Sequence, residues 1–172
     1  MIRAGVTRAA AFAERISLWV AGIGTAYMLA VVAFNVVARQ IFDLTGGAIA
    51  LMIPGAIEQA SYALLVVVLA SITASIRTGP ITVDLVIARL PAPARRAATR
   101  FWYLVLGLFA ATLAWLFGQE AVEMASRGDI LQDLRLPLYP FYAVASLEAA
   151  GLGLVCLSAA LTPPGDEKAT LA

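Results

Sequence analysis

The chain contains no histidine among its 172 residues, which removes bis-histidine haem ligation and histidine-based zinc sites. It has one cysteine, Cys156, and so can form neither an internal disulfide nor a Cys-x-x-Cys redox pair. Charge is scarce: 13% of residues are charged, where a soluble domain carries about 25%. No basic patch interleaved with aromatics occurs, so nothing points to a nucleic-acid partner. No nucleophile–base pair, metal-ligand cluster or phosphate-binding loop can be assembled, which argues against an enzyme and leaves no catalytic, cofactor or metal residue to name. Period-two alternation is missing too, which excludes a membrane β-barrel. What remains is apolar: 62% of the chain is hydrophobic, with a mean hydropathy of +0.88.

Such a composition belongs in lipid. Three stretches carry no charge at all, residues 17–38, 59–76 and 101–119, and a fourth, 136–165, is interrupted only by Glu148. Each matches or exceeds the ~18 residues needed to cross a bilayer, and a backbone in lipid must satisfy its own polar groups, which favours helices. The expected fold is therefore all-α and integral to the membrane. It has four transmembrane helices over about 16–39, 56–77, 98–122 and 136–161 in a single membrane domain, then a short tail at 163–172. The first span is longer than the ~7–15 residues of a signal-peptide core and runs on to Asn35 and Arg39, so a retained helix is expected.

Basic residues set the orientation. Arg3, Arg8 and Arg15, then Arg77, Arg89, Arg95, Arg96 and Arg100, then Lys168 fall on one side, and only Arg39, Arg127 and Arg135 on the other. The positive-inside rule places both termini in the cytoplasm. Residues 43–57, broken by Gly46-Gly47 and Pro54-Gly55, are expected to lie along the outer interface or to extend the second span as a partly detached helix. Glu123 and Arg127, spaced i,i+4, support extension of the third helix.

Between the second and third spans the chain reads "RTGPITVDL" at 77–85. Pro80 suits a helix start, and Pro91 and Pro93 close the run. Eleven residues at 80–90 make roughly 16 Å of helix, about half the hydrocarbon thickness. The segment is too short to span and too apolar for water, so a short interfacial helix is expected. Its Asp84 is either a solvated loop charge or half of an ion pair with Arg77 or an arginine of 95–100. Glu148, an ionisable residue at membrane depth, is a functional candidate by default, as interhelical contact or ion site. Asn35 suits a helix–helix hydrogen bond, and Arg39 and Glu58 suit each other as partners. Gly22-Ile23-Gly24 and Gly151-Leu152-Gly153 are read as places of close helix approach.

Taken together, four spans, cytoplasmic termini, Arg77-x-Gly79-x-Ile81-x-Val83-Asp84 and the following "LPAPARR" resemble the small membrane subunit of tripartite ATP-independent periplasmic (TRAP) transporters, the DctQ-like family. Asn35 and Arg39 resemble the polar close of the family's first helix, Glu58 the acidic residue before its second, and "LRLPLYPFY" at 134–142 the entry to its last. Two positions depart: Pro80 stands where a histidine is common, and Glu58 is a single carboxylate where a pair is frequent. The resemblance implies a non-catalytic scaffold in a bacterial inner membrane that carries no substrate itself. It implies three partners: a large DctM-like membrane subunit where sodium coupling would reside, a periplasmic DctP-like binding protein delivering organic acids, and membrane lipid. Arg77, Gly79, Asp84, Arg39, Glu58, Asn35 and Glu148 are then assembly residues. The competing expectation is a self-sufficient small oligomeric transporter using Glu148. A redox-enzyme anchor is disfavoured by the absence of histidine.

Overall fold

The computed structural model of the chain describes residues 2–78, 91–131 and 136–161. The interfacial helix expected at 80–90, with Gly79 and Asp84, lies outside the described residues, as does the tail from 162. Within them there are four helices: α1 (Ile2–Leu44), α2 (Ala56–Ser75), α3 (Ala92–Arg127) and α4 (Tyr139–Leu161). A single 3-10 turn, Ile76–Thr78, continues α2. No strand occurs among the described residues. All four helices are long and apolar enough to cross a membrane.

Their lengths differ for reasons visible in the sequence. α2, of 20 residues, is about 30 Å long, the thickness of the hydrocarbon. α1 has 43 residues and α3 has 36, or roughly 64 and 54 Å. Neither contains an internal proline, and their charged ends continue as helix into the headgroup regions. α1 runs on to Leu44 and is stopped by Gly46 and Gly47, both at positive φ (59° and 86°), a backbone conformation that glycine adopts without cost. Residues 49–53 have no regular structure, and α2 starts after Gly55, also left-handed. The 43–57 connection thus does not lengthen α2. Pro93 fits the first turn of α3, where a missing N–H costs nothing. Gly128 closes that helix in the left-handed region, its N–H donating to the Met124 carbonyl at 3.0 Å. The α3–α4 turn is pinned by Leu131 N–H donating to Leu136 O (2.8 Å) and Leu138 N–H to Asp129 O (3.0 Å).

α4 is the centre of the bundle. Half of its apolar window is buried, against 11% for those of α1 and α3. It packs on all three other helices, while α1 and α2 also pair with each other and α3 packs chiefly on α4. Its sequence explains this, because Ala145, Ala149, Gly151, Gly153, Cys156, Ser158 and Ala159 keep its surface low and admit neighbours closely. Toward α3, Leu152, Cys156 and Ala159 pack with Tyr103 and Ala110. Toward the other side, Gly151 faces Ala13 of α1 and Thr73 of α2. Cys156 is fully buried, as expected of a small apolar residue. The outward faces of α1 and α3, by contrast, leave Trp19, Ile23, Leu29, Leu108 and Trp115 more than half exposed.

Candidate functional site: polar ties between the helices

Lipid offers no hydrogen bonds, so each polar side chain within the apolar spans must find a partner in protein or reach the interface. Glu148 sits on α4 with 7% of its surface exposed. Ser17 of α1 donates to its Oε2 at 2.6 Å. From α2, the Thr73 hydroxyl donates to Leu69 O one turn back at 2.9 Å, with the Glu148 carbonyl at 3.4 Å as a secondary contact. Three helices therefore meet at Glu148, α1 at its buried carboxyl group and α2 at its backbone carbonyl. Along α4, Ser146 donates to the Ala114 carbonyl of α3 at 2.8 Å, adding the fourth helix to the set.

A second node lies at the C-terminal end of α2. Arg77, in the 3-10 turn, donates through Nη2 to Ser158 Oγ of α4 at 2.6 Å. Its Nε stands 2.9 Å from Glu14 Oε1 of α1. That oxygen receives no aligned hydrogen bond, so this is an ion pair by proximity rather than by direction. Side chains of α1, α2 and α4 are again drawn to one place, and both charged members are only partly exposed (33% and 21%). Close by, the Tyr103 hydroxyl of α3 makes a long 3.4 Å contact with the Ile76 carbonyl. Sequence reasoning offered Arg77 an acidic partner in Asp84. Asp84 lies outside the described residues; among those described, the guanidinium contacts Glu14 and Ser158.

Toward the opposite end, Tyr27 donates to Gln59 Oε1 across α1 and α2. Tyr62 of α2 stacks obliquely on Phe141 and Tyr142 of α4, with centroids 5.5 and 6.3 Å apart, and Tyr142 meets Phe117 of α3 edge-on at 6.2 Å. The partnership expected between Arg39 and Glu58 does not form among the described residues. The register shows why. Gly24 faces Val67, so on antiparallel helices Glu58 is level with Ala33, and Arg39 lies six residues further along α1. That is about 9 Å of helix rise. Asn35 likewise makes no helix–helix hydrogen bond, and its Oδ1 is buried without a partner. The same register sets it against Ala56, which offers no polar side chain. Beyond α3's apolar part, Arg127 holds Glu123 at 3.0 Å, the expected i,i+4 pair, with Glu120 at 3.5 Å and Asp129 at 3.7 Å.

Several of these partners escaped the sequence. Glu14, Ser17 and Ser158 carry both nodes, yet serines are common in apolar helices and Glu14 falls just before the uncharged run. A signal was present in hindsight: Glu14 and Ser17 are spaced i,i+3, on one face of α1. No group of three or more acidic or sulfur side chains able to hold a metal ion occurs among the described residues.

Four apolar helices tied by buried polar side chains, with broad apolar faces left open, define a multi-pass membrane subunit. Comparison with known families is specific: the profile of the tripartite ATP-independent periplasmic transporters, DctQ component, matches residues 28–163. The chain belongs to that family and is a small membrane subunit of a TRAP transporter. No curated protein and no solved structure matches it.

Proposed function

We propose that this chain is a non-catalytic scaffold of a sodium-driven TRAP transporter for organic acids, working with a DctM-like large membrane subunit and a DctP-like periplasmic binding protein. The observation that carries this reading is the use to which its intramembrane polar groups are put. Glu148 is engaged by Ser17, and Arg77 by Glu14 and Ser158. These groups join helices and are not arrayed along a path for a solute or ion. Discontinuous helices of the kind that form transporter substrate sites are also lacking among the described residues. The long helices with exposed apolar faces supply area for a larger neighbour. In this reading Arg77, Gly79, Asp84, Arg39, Glu58, Asn35 and Glu148 serve assembly, sodium coupling resides in the large subunit, and residues 80–90 form an interfacial helix. The chain sits in a bacterial inner membrane with both termini in the cytoplasm.

The test is co-expression with a candidate large subunit. The chain should co-purify with it, and uptake in proteoliposomes should require both membrane subunits and the binding protein. Uptake by this chain alone, abolished by Glu148→Gln, would instead establish a self-sufficient transporter. Reporter fusions at the two ends, active only in the cytoplasm, check the orientation.

A further inference from the structure

α3 and α4 do not meet flush. Between them runs a groove of about 780 Å³, walled by Leu104, Leu108 and Trp115 on one side and Ala150, Leu154 and Leu157 on the other. Its floor is low because Gly107 and Gly153 stand where the two backbones come together. The lining is almost wholly apolar. On α3 the groove extends from Tyr103 to Trp115, a rise of roughly 18 Å. That is close to one leaflet of a hydrocarbon core about 30 Å thick, and too short for a helix that crosses it.

The two mouths differ in charge. Counting back along the groove face of α3 at 100° per residue, Arg100 lies one turn before Leu104, and Arg96 one turn earlier. Both are exposed, and Arg100 makes no ion pair among the described residues. Helical side chains lean toward the N-terminus of their helix, so the Arg100 guanidinium is directed away from the apolar lining toward headgroup depth. At the other mouth a shallower recess continues past Trp115 to Gln119 and Glu123. There Glu120, Glu123 and Asp129 gather around the single Arg127 and outnumber it, so that end disfavours an anionic group, and the Arg100 end attracts one.

We propose that this groove binds one acyl chain of an anionic phospholipid, with the phosphate held at Arg100. Leaflet-length apolar lining with Arg100 outside any ion pair among the described residues at one mouth, and a net acidic cluster around Arg127 at the other, matches a lipid of one orientation, its head at the N-terminal end of α3. Under the topology proposed above this is the cytoplasmic leaflet, where anionic lipids concentrate. The groove and its charges do not depend on that topology.

The full chain, purified in mild detergent, is offered phosphatidylglycerol and phosphatidylethanolamine of equal chain length, and retained lipid is counted by native mass spectrometry. Preferential retention of phosphatidylglycerol is expected. One arginine near an anionic headgroup changes affinity about fivefold, so Arg100→Gln should weaken retention by that factor. Arg95→Gln, on the opposite side of the helix, should change it less. Ala111→Phe fills the groove at an exposed position and should expel the lipid without altering the elution volume. Equal retention of the two lipids, equal effects of the Arg95 and Arg100 variants, or indifference to Ala111→Phe overturns the proposal. So does crosslinking of an Ala111→Cys variant to a co-expressed large subunit, which would make the groove a protein interface. Co-purification of that subunit is scored on the same sample, separating failure of this inference from failure of the scaffold reading.

Discussion

Gly24 and Gly22 are one turn-fraction apart on α1 and offer a matched pair for measuring how tightly α1 and α2 meet. A Cβ built on Gly24 would stand 2.6 Å from Val67 Cγ2, well inside van der Waals contact, whereas one on Gly22 meets nothing within 4 Å. Val67 has little room to yield, because it is 8% exposed and valine in a helix is held largely to one χ1 rotamer. Alanine at either site gains the same helix propensity, about 0.8–1.0 kcal/mol over glycine, so the difference between the two variants isolates the clash. Overpacking of this kind costs about 1–3 kcal/mol. Gly24→Ala should therefore be less stable than Gly22→Ala by that amount, read from the midpoint of denaturing-detergent titration of the purified chain. Adding Val67→Ala should recover most of the difference, a coupling visible in a double-mutant cycle. If Gly24→Ala equals or exceeds Gly22→Ala in stability, α1 and α2 are not in the contact described.

Other expectations follow from the polar ties. Arg77→Gln strands the Glu14 carboxylate, so the double variant with Glu14→Gln should be the more stable of the two; partial exposure holds the coupling to about 1 kcal/mol. Ser17→Ala leaves a buried carboxyl oxygen without its donor, costing about 1–3 kcal/mol, and this cost should largely vanish in the Ser17→Ala, Glu148→Leu pair when both are scored in the same titration. Asn35→Leu removes an oxygen that is already unpaired. It should leave the isolated chain as stable or more stable, and a loss of stability would show that Asn35 is satisfied within the chain. Cys156, fully buried, should resist a water-soluble maleimide until the bundle is unfolded; rapid labelling of the native protein would contradict the packing of α3 on α4.

The number and class of the helices were legible because lipid imposes a strong rule: about twenty apolar residues per crossing and few charges within. Gaps between charges locate the crossings but not the helix ends, since Arg8, Glu14 and Arg15 at one end of α1 and Asp43 at the other are compatible with helix outside the hydrocarbon. Glu148 stood out as a lone acid in an apolar run. Its partner did not, because Ser17 is unremarkable until α4 is laid against α1. The expected Arg39–Glu58 pair failed for the same reason. Two opposite charges near the ends of consecutive spans look matched in sequence, but the Gly24–Val67 contact that sets the register is a long-range fact. Small residues carried the most recoverable signal: Gly24, Gly151 and Gly153 all mark real helix approaches, while Gly22 does not.

The dependence of α3 on α4 has a consequence for how the protein is made. Helices leave the ribosome in order, and α1 and α2 can pair as soon as both are in the membrane. α3 comes next but finds little on that hairpin to hold it, and its low face at Gly107 and Gly118 waits for Cys156 and Ser146. Ser17 and Arg77 wait as well, since Glu148 and Ser158 both arrive with the last helix. The final crossing is thus the keystone of assembly: a nascent chain halted after Arg127 lacks the main packing partner of its third helix and leaves the polar nodes unclosed.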